Sequence, residues 1–244
     1  MNWERTLMVL VAGLATALAT GLGALPFRFI KETSPRVFAI ANSIAAGLML
    51  GASFGLVVEG ANFGMPQTVL GGALGVLMVL AGEKLFEGRE TSIGDVRGKD
   101  ARRTLLLLAV MTVHSFSEGV AVGVAFGGGE KLATMITVAI AVHNIPEGLA
   151  ISAVLRSRGS SLRACAGWSI FSSLPQPLMA VPAFLFVDAF TPVLPYGLGF
   201  AAGAMVFMVL LELLPEAYES ARESEVGLWV SLTLGAMVLF QRYL

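Results

Sequence analysis

The chain contains only two histidines, and both sit in matching surroundings. Val113-His114-Ser115-Phe116-Ser117-Glu118-Gly119-Val120-Ala121 aligns with Val142-His143-Asn144-Ile145-Pro146-Glu147-Gly148-Leu149-Ala150, so His, Glu and Gly recur at the same relative positions. On an α-helix, residues four apart share a face on neighbouring turns, and each imidazole and carboxylate can converge on one point. Two such helices supply four nitrogen and oxygen donors, a set suited to the tetrahedral preference of Zn²⁺. Fe²⁺, Mn²⁺, Co²⁺ and Cd²⁺ accept the same donors, because raw affinity does not decide selectivity. Ca²⁺ and Mg²⁺ fit less well, since they prefer oxygen shells.

The elements that must position these donors are membrane helices. The chain has 244 residues, 56% hydrophobic and only 14% charged, against about 25% charged in soluble domains. Apolar stretches of about 20 residues suffice to cross a bilayer, and eight are read at 6–27, 37–58, 65–85, 104–126, 132–155, 164–187, 196–214 and 226–244. Both His/Glu motifs fall near the middle of their spans, the fourth and fifth. A carboxylate at that depth is costly and usually marks an ion or substrate path. No Lys or Arg lies mid-span to neutralise Glu118 or Glu147, so a bound cation is the economical counter-charge; the alternative is neutral glutamates hydrogen-bonded to the histidines.

Basic residues test this division, because cytoplasmic loops hold the excess of Lys and Arg. Of the 16 such residues, all but Arg5, Lys131 and Arg242 fall in the connections after spans 1, 3, 5 and 7 or, for Lys84, at the end of span 3 that leads into one. The asymmetry predicts both termini outside the cytoplasm, in a plasma membrane such as the bacterial inner membrane. The first apolar run continues past Ala17-Leu18-Ala19 and lacks a positive flank, so a span is expected rather than a cleaved leader. The polar segment 87–103 reads as a cytoplasmic loop within one transmembrane domain covering 1–244. A single cysteine, Cys165, excludes an intrachain disulfide and a cysteine metal cage. No basic stripe suggests nucleic acid; the expected surroundings are lipid and divalent metal.

Small residues recur at every fourth position, as in Gly47, Gly51 and Gly55 or Gly119, Gly123 and Gly127, a spacing that lets membrane helices approach closely. Ala45-Ala46-Gly47-Leu48-Met49 in span 2 resembles Ala201-Ala202-Gly203-Ala204-Met205 in span 7, and these spans run in opposite directions, as in inverted-repeat transporters. Pro146 removes a backbone hydrogen bond from the carbonyl of Val142 beside the His/Glu pair, a freed group that a cavity can accommodate.

His143-Asn144-Ile145-Pro146-Glu147-Gly148 resembles the signature of the ZIP family of divalent-metal transporters, and His114 to Gly119 resembles its partner in the preceding helix. Glu212-Leu213-Leu214-Pro215-Glu216 and Ser172 to Leu178 are similar to the family's helices 7 and 6. The resemblance implies an all-α membrane fold of eight helices, with helices 1–3 and 6–8 forming an inverted repeat around metal-bearing helices 4 and 5. It also implies metal movement toward the cytoplasm by alternating access, a sliding of the metal-bearing helices against the rest, and homodimers. The metal is the transported substrate rather than a cofactor. Asn144 and Gln176 are expected to add transient or outer oxygens to the four donors. Glu212 matches a family position on the exit route, Glu83 resembles the acidic end of helix 3, and Ser115, Asn42 and Ser53 are further path candidates.

Three departures from the family stand out. Ser115 replaces an Asn, Gln176 replaces a Glu, and 87–103 lacks histidine. The first two predict one ion at the centre instead of two, because adjacent divalent charges repel strongly without added anionic donors. An intramembrane metalloenzyme is the main alternative, but no His-Glu-x-x-His segment exists. A passive metal channel is the other.

Overall fold

The computed structural model describes residues 3–29, 34–86, 99–157 and 159–243. The segment 87–98, most of the expected cytoplasmic loop, lies outside them. Among the described residues every regular element is a helix: α1 (Trp3–Leu22), α2 (Pro35–Phe86), α3 (Lys99–Gly127), α4 (Glu130–Ser157), α5 (Leu162–Ser172), α6 (Pro175–Ala189), α7 (Leu194–Met208), α8 (Leu214–Ser220) and α9 (Glu223–Tyr243). Six stretches among the described residues are long and apolar enough to cross a membrane. They are Trp3–Arg28, Pro35–Gly82, Glu130–Arg156, Leu162–Ala189, Thr191–Ser220 and Glu223–Tyr243.

Several of these stretches are not simple rods. α2 leaves helical geometry at Gly64, with φ 167° and ψ 104°, two residues before Pro66. Pro66 lacks the N–H that a continuous helix would need, and its ring disfavours helical backbone at the residue before it. The apolar run 164–187 is interrupted at Ser173–Leu174, and α6 restarts with Pro175 at its first position, a place where the missing N–H costs nothing. Between α7 and α8 one π-helical turn covers Val209–Leu213, the kind of local widening that often accompanies functional sites. Pro146, by contrast, lies inside an uninterrupted α4.

Two groups of helices emerge from the packing. α1, α3, α4, α5 and α6 pack among themselves, as do α2, α7, α8 and α9, and the groups meet mainly through α2 against α4 and α3 against α7. Small-residue stripes set these approaches. A Cβ on Gly47 or Gly51 would run into α9 at Thr233 or Met237, and one on Gly71 or Gly75 would run into the carbonyls of Tyr196 or Phe200 on α7. Backbone contact of this closeness is what lipid-embedded helices use in place of a hydrophobic drive. Leu7, Leu18, Leu70, Leu77 and Leu232 are more than half exposed, as expected of side chains that face acyl chains.

Candidate metal centre

α3 and α4 bring the two motifs face to face. One ligand atom from each of His114, Glu118, His143 and Glu147 lies within 4.8 Å of all the others, and all four side chains are buried. Glu118 Oε1 stands 2.5 Å from His143 Nε2 and 3.3 Å from His114 Nε2. The His143 contact is a hydrogen bond, whereas the His114 contact is close in distance only and both His114 ring nitrogens lack a hydrogen-bond partner. Both carboxylate oxygens of Glu147 are likewise buried and without a hydrogen-bond partner. Buried polar atoms are nearly always satisfied, and leaving one bare costs about 1–3 kcal/mol, more for charged groups. Unused lone pairs at one point are what a cation would occupy. Two donors on one Zn²⁺ lie about 3.3 Å apart from bond lengths of about 2.0–2.1 Å, so a small rearrangement that parts Glu118 from His143 and draws the other donors in would close a coordination shell.

The wall behind Glu118 is built from amides. Gln176 Nε2 donates to Glu118 Oε2 at 2.6 Å, and Asn144 Nδ2 donates to Gln176 Oε1 at 3.2 Å and to the Thr16 carbonyl at 2.9 Å. Gln176 reaches the centre because α6 restarts there and because Gly119 presents no side chain. A Cβ on Gly119 would meet the backbone of Gln176 itself. Gly148 does the same for α1: its Cβ would collide with the Thr20 carbonyl, and Thr20 Oγ1 pairs with Ser173 Oγ at 2.8 Å. The glycine after each glutamate is thus where a neighbouring helix comes in close enough to orient the ligands.

On the opposite side Met49, Met111, Met208 and Leu213 join His114 and Glu147 around a small pocket. The other sequence candidates are dispersed. Ser115 Oγ is buried beside the motif without a partner. Ser53 is buried and its hydroxyl donates to the Met49 carbonyl on its own helix. Asn42 Nδ2 donates to Glu216 Oε2 at 3.0 Å, and Glu212 sits in the π-helical turn. Glu83 lies near the end of α2, its side chain outside the described residues.

Sequence reasoning did not single out Thr16, Thr20, Glu216 or the three methionines. The i, i+4 spacing of Thr16 and Thr20 in an otherwise apolar run was the available signal for α1. Each threonine satisfies its hydroxyl on a backbone carbonyl one turn back, which lets it pass as part of an ordinary span.

Comparison with known proteins agrees with this architecture. The sequence profile described as ZIP Zinc transporter matches residues 87–241. A putative zinc transporter of Arabidopsis thaliana, At3g08650, is 49% identical over 92% of the chain, which covers 37% of that longer protein. Zinc transporter GufA of Myxococcus xanthus is 33% identical, with 94% of this chain and 96% of GufA aligned. Zinc transporter ZIPB of Bordetella bronchiseptica is 32% identical over 92% of the chain and 78% of its own length. With the profile covering both His/Glu motifs and GufA aligned nearly end to end, the chain belongs to the ZIP zinc-transporter family.

Proposed function

We propose that this protein carries a divalent transition metal, zinc foremost, across a membrane toward the cytoplasm by alternating access. The ion is held by His114, Glu118, His143 and Glu147. The observation that carries the reading is the convergence of four buried ligand atoms, with both Glu147 oxygens and both His114 nitrogens free of hydrogen bonds. Four protein donors leave no open position for an activated water, which favours transport over hydrolysis. The relatives' names point the same way. Asn144 and Gln176 orient Glu118, and their oxygens serve as transient donors as the ion arrives or leaves.

The reading includes eight crossings. Pro35–Gly82 has 48 residues, about 72 Å of helix against a hydrocarbon core of about 30 Å, so α2 supplies two crossings divided at Gly64. α3 supplies another, α5 with α6 one, and α7 with α8 one. Spans 1–3 and 6–8 then form the inverted repeat, within one transmembrane domain of residues 1–244. Both termini lie outside the cytoplasm, in a plasma membrane, and two copies associate. Alternating access would move the α1, α3–α6 group against α2 and α7–α9, since the ligands of α3 and α4 lie where the two groups meet.

Uptake into proteoliposomes across a panel of Zn²⁺, Fe²⁺, Mn²⁺ and Cd²⁺, with and without a pH gradient, tests the reading. Saturable uptake stimulated by metal on the opposite side supports a carrier. Non-saturating flux without that stimulation identifies a channel, and no flux of any ion refutes transport.

A further inference from the structure

α2 and α9 run side by side in the same direction. Gly47, Gly51 and Gly55 meet Thr233, Met237 and Gln241 in that order, so the two helices begin at the same end of the molecule. About ten residues separate Thr233 from the start of α9 at Glu223, about 15 Å of helix, or half of a hydrocarbon core of about 30 Å. The common end therefore lies at head-group depth. A groove of about 900 Å³ opens there, walled by Arg36 of α2, Glu219 of α8, and Arg222, Glu225 and Leu228. Leu228 and, one turn further along α9, Leu232 are more than half exposed, so an apolar strip leads from the groove down the outer surface of the span.

The charges in the groove divide into a closed pair and an open one. Arg36 Nε and Nη2 both donate to Glu225 Oε1, at 3.1 and 2.9 Å. Among the described residues no ion pair engages the side chain of Arg222 or Glu219, and both are exposed where α8 gives way to α9. One guanidinium and one carboxylate are thus left for a ligand that carries both signs and an apolar tail.

We propose that this groove holds the head group of a phosphatidylethanolamine lipid, with its phosphate on Arg222, its ammonium on Glu219 and an acyl chain along Leu228 and Leu232. A guanidinium matches the paired oxygens of a phosphate, and a primary ammonium has the N–H donors that a carboxylate accepts. Phosphatidylglycerol would bring an anion to Glu219 and Glu225 with no cation to offset them. Phosphatidylcholine has no N–H for Glu219, and among the described residues no aromatic ring lines the groove to receive a quaternary ammonium. The site requires α2 and α9 to be membrane spans and is independent of the His/Glu centre.

Native mass spectrometry of the purified full-length chain reads the preference, with phosphatidylethanolamine, phosphatidylglycerol or phosphatidylcholine added to the detergent at equal concentration. Phosphatidylethanolamine should be retained about fivefold more than either of the others, the scale of one well-formed exposed charge pair. Glu219→Gln and Arg222→Gln should each lower its retention by about the same factor, and Glu219→Gln should also erase the preference over phosphatidylcholine. Glu219→Asp, which keeps the carboxylate, should retain the preference. Because both positions are exposed, all three variants should melt and bind zinc as the wild type does. Equal retention of the three lipids by the wild type, or stronger retention of phosphatidylglycerol, overturns the proposal. So does phosphatidylethanolamine retention that is unchanged in either Gln variant.

Discussion

Gln176→Leu isolates the amide wall behind Glu118. The substitution leaves an apolar side chain one atom shorter and removes the 2.6 Å hydrogen bond to Glu118 Oε2 together with the acceptor at 3.2 Å from Asn144 Nδ2. Asn144 keeps its bond to the Thr16 carbonyl, so the loss falls mainly on Glu118. A hydrogen bond to a charged group contributes about 1.5–3 kcal/mol, which at about 1.4 kcal/mol per tenfold is roughly 10- to 150-fold in metal affinity. The range overlaps the roughly 10- to 100-fold found when groups that orient metal ligands are removed. Competition titration with a chelating dye and zinc reads the change directly, and a melting curve of the metal-free protein separates it from unfolding. Gln176→Glu is the counter-test: a carboxylate in place of the amide should tighten binding rather than weaken it. An affinity within twofold of wild type for Gln176→Leu would refute the positioning role.

Other consequences follow from the same geometry. Anomalous diffraction from zinc-soaked crystals should find one ion among His114, Glu118, His143 and Glu147; two adjacent ions between α3, α4 and α6 would show that the missing charge at Gln176 does not limit occupancy. Gly148→Ala drives a Cβ into the Thr20 carbonyl and should cost about 1–3 kcal/mol by overpacking, read as a lower melting temperature and weaker zinc binding. A cysteine placed within 87–103 should stay shielded from impermeant reagents added to intact cells, while one at Lys131 should label; the reverse pattern would invert the topology.

The centre was legible because its residue types are rare here. With two histidines in 244 residues, a shared His-x-x-x-Glu-Gly pattern leaves little choice of partner, and helical spacing alone predicts the face they share. The surrounding wall was less legible. Hydropathy reads 164–187 as one run, yet α5 and α6 are separate helices, and that interruption carries Gln176 to Glu118. Proline at 175 signalled a break, but in a run dense with apolar residues the sum conceals it. The same averaging hid the π-helical turn at Val209–Leu213, which no residue type announces. Asn42 was visible as a polar residue in an apolar span, whereas its partner Glu216, 174 positions away, required the fold.

The central claim is that metal crosses the membrane through the His/Glu cluster, and zinc uptake into proteoliposomes by wild type, His143→Ala and Glu147→Ala tests it most directly. Both variants should be monodisperse and melt cooperatively, yet take up zinc no faster than empty liposomes. Near-normal uptake by both would contradict the account.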